Sequence, residues 1–262
     1  MRKGMLVILL TLILSGCTGT GFPKGQVLPL SSVGLHLDVY EIVNHPNIAQ
    51  RTAAYLDEII ADGKYAKELR IVFNKEVGPT VLREMIPVIR EKEFKILPIL
   101  SMGNQMRPHD AASDLAWIEE ALPQVRKLLV GVQLANEQWH TKIDGHKLIP
   151  FPPAEFVYWH RWITPTIRRL APGVPIVDGD VDGGWDIATK WWEAVEQAGR
   201  IDIDFLSWHV YTSEIPPTYG HPIWITEAGD AKHCVAPAVK CFVFTWNSTD
   251  RFSKRPGGSI LP

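Results

Sequence analysis

Glu137 and Glu227 are the residues whose setting asks for chemistry. Glu137 follows Asn136 at the end of the apolar run LLVGVQLA (128–135), and Glu227 ends the run PIWIT (222–226). A carboxylate is costly to place at the edge of a buried segment unless it is paired or hydrogen-bonded. Two carboxylates that converge on one pocket can cleave a glycosidic bond. One protonates the leaving oxygen and the other attacks the sugar carbon, at a separation of about 5–5.5 Å when configuration is retained. The acid must keep its proton near neutral pH, which takes burial or a neighbouring negative charge.

The elements that must position this pair are eight short apolar segments: VGLHLDVY (33–40), LRIVF (69–73), FKILPIL (94–100), LLVGVQLA (128–135), VPIVD (174–178), IDFLSWHVY (203–211), PIWIT (222–226) and CFVFTW (241–246). They are apolar on both faces, as parallel strands are. Stretches with helical periodicity separate the first six. Residues 49–62 place Ala53, Leu56, Ile59 and Ile60 on one face, and 79–92 and 111–126 read alike. Residues 153–170 form a longer helix that Pro165 should kink, and 186–198 carry the Trp191-Trp192 pair. Eight strands in this alternation predict an α/β fold, a (β/α)8 TIM barrel. The links after the sixth and seventh strands, and the tail after the eighth, leave little room for helices. The predicted barrel therefore has reduced helices after strands six, seven and eight. Apolar strand surface left bare there would call for a protein partner to cover it.

A barrel of this kind carries its site at the C-terminal ends of its strands. In order, those ends offer His36, Asp38 and Tyr40; Arg70 and Asn74; Ser101 and Asn104; Asn136 and Glu137; Asp178, Asp180 and Asp182; His209 and Tyr211; Glu227; and Trp246. Taken with the segments LSWHVY (206–211), WITEAG (224–229) and the terminal FTW, this set resembles the retaining β-glycosidases of glycoside hydrolase clan A, which include cellulase-like, β-xylosidase-like and small endo-β-1,3-glucanase-like cores. The resemblance spans the second to eighth strands. It implies Glu137 as acid/base and Glu227 as nucleophile, with no cofactor and a poly- or oligosaccharide substrate. It implies that Asn136 bonds a sugar hydroxyl, that Arg70 and either Tyr211 or His209 support Glu227, and that Trp246 floors a subsite. The His found near the end of strand three in several cellulase-like members is missing, since His109 lies too far on.

Other readings compete for some of these residues. Sugar rings stack on aromatic faces, and Trp139 or Trp185 would join Trp246 in that role, whereas Trp117, Trp159, Trp191 and Trp192 lie on helices and suit the core. The stretch DGDVDGGWD (178–186) resembles the front half of a calcium loop, but Thr189 stands where the bidentate Glu belongs. The same aspartates could bind substrate hydroxyls. His36 and Asp38 contact sugar or close the barrel floor. Alternatively they join Glu137, His209 and Glu227 in the metal ring of a metal-dependent barrel hydrolase or isomerase. A non-catalytic glycan-binding surface lipoprotein is a further alternative.

The first residues are not fold. A basic start, Arg2-Lys3, precedes the apolar run Met5–Leu14, which is too short to span a bilayer but suits an export signal. Leu14-Ser15-Gly16-Cys17 resembles a bacterial lipoprotein cleavage box, which implies a lipidated Cys17. The expected organisation is a signal peptide (1–16), a lipidated tether (17–30) and a single barrel domain (31–262), exported and anchored at the cell envelope. The net charge of −2 gives no reason to expect nucleic acid. Cys234 and Cys241 are then the two thiols left in an oxidising compartment, and whether they pair depends on geometry that the sequence does not contain.

Overall fold

The structure is a computed structural model that describes residues 25–100, 111–136, 141–143, 147–149, 152–182, 185–211 and 218–245. Its strands are β1 (Val33–Leu37), β2 (Glu68–Val72), β3 (Lys95–Ile99), β4 (Val132–Gln133), the hairpin pair β5 (Thr141–Ile143) and β6 (Lys147–Ile149), β7 (Ile176–Asp182), β8 (Phe205–Val210), β9 (Ile223–Ala228) and β10 (Ala238–Thr245). Eight of them close into a parallel barrel in the order β1-β10-β9-β8-β7-β4-β3-β2. The predicted fold is therefore the observed one. The hairpin β5–β6 stands outside the barrel between β4 and β7 and was not anticipated.

Apart from α1, the helices fall where the periodicity put them. They are α1 (Val39–Val43), α2 (Ile48–Asp62), α3 (Gly78–Thr80), α4 (Ile86–Glu91), α5 (Ala111–Val125), α6 (Pro153–Leu170) and α7 (Trp185–Ala198). A π-helical turn over Val81–Met85 joins α3 to α4, just ahead of Pro87, which has no N–H to give to Arg83. The helix α6 continues through Pro165 and buries Phe156, Trp159, Ile163 and Ile167. Trp117, Trp159, Trp191 and Trp192 are all core residues, as their helical positions implied.

Several strand limits differ from expectation, three of them as follows. The first strand stops at Leu37 because Asp38 accepts a hydrogen bond from the Glu41 amide and starts α1, which takes Tyr40 off the sheet. The fourth is cut to two residues, since Arg126–Leu128 close α5 with a 3-10 turn. The eighth begins three residues early, at Ala238.

An apolar layer fills the lower barrel: Leu97, Val177, Trp224 and Phe242 pack together from four strands. Gly34 makes room for it, because a Cβ there would lie 2.5 Å from the Phe242 ring. With Gly34 and Phe242 facing in, alternation along β1 and β10 turns His36 in above the layer and Cys241 out.

Between β9 and β10 the described residues carry no α-helix, as predicted for that link. Among the described residues their link holds one 3-10 turn, Ala231–His233. Cys241 is joined to Cys234 of that link by a disulfide, with Cα atoms 5.6 Å apart. The segment before β1 pairs with the same link: Leu28 N–H donates to Cys234 O at 2.7 Å and Ala236 N–H to Gln26 O at 2.9 Å. Leu28, Ile223, Ile225 and Cys241 are all buried within the chain. The bare strand face that would require a covering partner is thus absent among the described residues, because the N-terminal segment and the disulfide-held link occupy it. No helix among the described residues is long and apolar enough to cross a membrane.

Candidate active site

Directly above the apolar layer lies a polar one, contributed by the C-terminal halves of five strands. His36 of β1 pairs in register with Arg70 of β2, and His209 of β8 with Glu227 of β9. Gln133 of β4 completes the ring, in register with Ile99 and Val177. These side chains face inward because alternation puts their apolar neighbours, among them Leu35, Leu69 and Ile71, on the outside of the barrel.

Arg70 is the hub, with no exposed surface. A guanidinium carries five N–H donors and no acceptor, and here each is matched by a contact. Nε donates to Gln133 Oε1 at 2.8 Å. Nη1 donates to Glu227 Oε2 at 2.8 Å and contacts His36 Nδ1 at 2.6 Å. Nη2 donates to Asn136 Oδ1 and contacts His209 Nε2 at 3.2 Å. Both imidazoles thus turn a ring nitrogen to Arg70, and His36 Nδ1 also lies 3.2 Å from Glu227 Oε2. Burial first, and the Arg70 charge second, hold His36 below the usual imidazole range.

Glu227 is 7 % exposed and held on both oxygens. Oε2 takes Arg70, and Oε1 accepts from the Tyr211 hydroxyl. Burial pushes this carboxyl up, but its surroundings outweigh that. His209, His36 and Arg70 hold it well below the usual carboxylate range. An ionised, oriented carboxylate with its lone pairs at the mouth of a barrel is a nucleophile or an electrostatic stabiliser, not a proton donor.

Of the residues singled out by sequence, Arg70, Asn136, His36, His209, Tyr211 and Glu227 converge here. Tyr211, not His209, makes the close hydrogen bond to Glu227; His209 Nε2 lies 3.8 Å from it and braces Arg70 instead. His36 sits in the polar layer, above the barrel floor to which it had alternatively been assigned. Asp38 caps α1, so its carboxylate serves the backbone. Asn74 caps the turn into α3, accepting from the Glu76 and Val77 amides at 3.2 and 3.1 Å. Glu137, Trp139 and Trp246 lie outside the described residues, as does Cys17; Trp185 begins α7.

Where the sequence resembles a calcium loop, Asp178 through Asp182 run as the strand β7, and Asp178 is fully buried against His160 Nε2 at 2.6 Å. In the alternative metal ring, a dication among His36, His209 and Glu227 would meet the Arg70 guanidinium, which contacts all three. No cluster of metal-ligating residues occurs among the described residues.

Sequence reasoning missed Gln133. The available signal was a single polar side chain inside the buried run LLVGVQLA, which must find partners there.

No family model matches the chain, and no curated protein matches its sequence. Solved structures do match. An endo-1,4-β-mannanase from Eisenia fetida has a TM-score of 0.52 at 14% identity, covering 84% of both chains. A GH5_18 structure from Streptomyces cattleya, in complex with GlcNAc, has a TM-score of 0.54 at 12% identity, covering 84% of this chain and 71% of that one. A glycoside hydrolase family 17 β-1,3-glucanosyltransferase from Rhizomucor miehei has a TM-score of 0.50 at 13% identity, covering 79% and 76%. At these identities the likeness is one of fold, and each of these barrels is described as, or grouped with, glycoside-processing enzymes.

Proposed function

We propose that this chain is a retaining glycoside hydrolase acting on β-linked glycan, with Glu227 as nucleophile and Glu137 as acid/base. The observation that carries the proposal is the state of Glu227. It is buried, ionised and held on both oxygens at the C-terminal mouth of a (β/α)8 barrel. The mannanase and glucanosyltransferase that share the fold add support at the level of architecture.

In the first step a Glu227 oxygen attacks the anomeric carbon. The bond from that carbon to the leaving oxygen breaks, and Glu137 gives that oxygen its proton. In the second step Glu137 takes a proton from water, the water oxygen attacks the same carbon, and the Glu227 carboxylate leaves. Arg70 and Tyr211 keep Glu227 ionised and aimed. Arg70 also fixes the Asn136 amide by holding its Oδ1, which turns the amide nitrogen toward other acceptors such as a sugar hydroxyl.

The test is mass spectrometry of the protein after incubation with a panel of 2-fluoro glycosyl inactivators. A stable adduct on Glu227 is expected, and the sugar that labels names the subsite. Glu227→Ala should abolish turnover, with azide restoring part of it as an inverted glycosyl azide. Unchanged hydrolysis by Glu227→Ala would sink the assignment.

The reading extends to location. The chain is exported and held at the cell envelope by lipid on Cys17, and the Cys234–Cys241 disulfide suits an oxidising compartment. Palmitate labelling that persists in Cys17→Ser would refute the anchor.

A further inference from the structure

Gln133 is fully buried and makes two hydrogen bonds in opposite directions. Its Oε1 accepts from Arg70 Nε at 2.8 Å, and its Nε2 donates to the Ala135 carbonyl at 2.8 Å. The first bond fixes the rotation of the guanidinium. The group is planar, so holding Nε also sets where Nη1 and Nη2 point, to Glu227 and Asn136 respectively. The second bond ties the side chain to its own backbone two residues on. That draws the chain out of the ladder after a strand of only two residues, at the peptide that leads into Asn136-Glu137.

We propose that Gln133 is a positioning residue for Glu227, orienting Arg70 toward Glu227 and Asn136 through Oε1 and holding the Ala135 carbonyl through Nε2. The proposal rests on the reading of Glu137 and Glu227 as the catalytic pair. The amide is required chemically. The position must accept from an arginine and donate to a carbonyl at once, and an ionised Glu of the same shape only accepts. A Glu would also place a second negative charge on Arg70, in competition with Glu227.

The experiment compares wild type with Gln133→Met and Gln133→Glu. In Gln133→Met the KM should stay within about twofold while kcat, and the rate of 2-fluoro labelling of Glu227, fall roughly 10- to 100-fold, as expected of a misplacement near 1 Å. In Gln133→Glu the acid limb of the kcat/KM profile should move up by about one unit. Carbon NMR of labelled glutamate side chains should show the Glu227 titration moving the same way. A purely structural role would lower the melting temperature of both variants and leave the limb in place.

Unchanged kcat in Gln133→Met, or a Glu227 titration that does not move in Gln133→Glu, overturns the proposal. Should Gln133→Met fail to fold, the titration in Gln133→Glu decides. If wild type neither hydrolyses nor labels with any sugar, the glycosidase reading fails and with it the catalytic half of this proposal. A titration that still moves would then confirm the Gln133–Arg70–Glu227 linkage alone.

Discussion

At the scale of single residues, the Arg70–Glu227 pair dominates. Arg70 is wholly buried and Glu227 nearly so. Removing one partner of such a pair leaves an uncompensated charge, which costs about 3–5 kcal/mol. Arg70→Met should therefore destabilise the protein by about that amount in urea unfolding, and the double variant Arg70→Met/Glu227→Gln should recover part of it. A double variant no more stable than Arg70→Met would show that the charge pair is not the cause. The same residues make the fold acid-sensitive. His36 and Glu227 both titrate lower in the folded chain than their ordinary values of 6.5 and 4.5. Each binds fewer protons folded than unfolded, so acid favours unfolding. The loss begins as pH falls through 6.5, from His36 and from His233, which burial also holds low. It continues below 4.5, where the contribution of Glu227 is lost. Unfolding free energies across that range should show a shallower slope near pH 6 for His36→Gln than for wild type, and equal slopes would remove His36 from the account.

At the scale of elements, the link between β9 and β10 does a helix's work with nine residues. A helix would cover the outer strand face by its apolar stripe. Here the cover comes from Cys234 and from Leu28 of the segment before β1. The disulfide spans a sequence separation of 7. Closing so short a loop is worth about 2.5 kcal/mol by chain entropy. Cys234→Ala/Cys241→Ala should unfold at lower denaturant by roughly that amount, and reduction of wild type should match it. A variant as stable as wild type would mean that packing alone holds the link. Glu227 lies on β9 directly ahead of this link.

At the scale of the whole molecule, the barrel closes by pairing β1 with β10, and residues ahead of β1 finish the wall. Leu28 is 2 % exposed. Leu28→Ala should cost about 2–4 kcal/mol through the cavity it leaves, with the melting temperature as the readout. A change within about 0.5 kcal/mol would show that the N-terminal segment only rests on the barrel. Among the described residues the chain itself covers the strands where the helix ring is thin.

Much of this was legible from residues 33–246 alone. Apolar runs of strand length, most of them alternating with 3.6-residue periodicity, specify a parallel barrel, because both signals are local and recur along the chain. The strand-end rule then put Arg70, Asn136, His36, His209, Tyr211 and Glu227 at one mouth. That Asp38 caps a helix and that Asp178 meets His160 was not legible, because a carboxylate's partners come from other residues that the local pattern does not name. The full set of partners around Gln133 and Arg70 was hidden for the same reason. Arg70 and Glu227 stand 157 positions apart, and which acceptor meets which of the five N–H bonds is decided when the barrel closes. Periodicity determines which way a side chain faces, and only the packed barrel determines what it meets there.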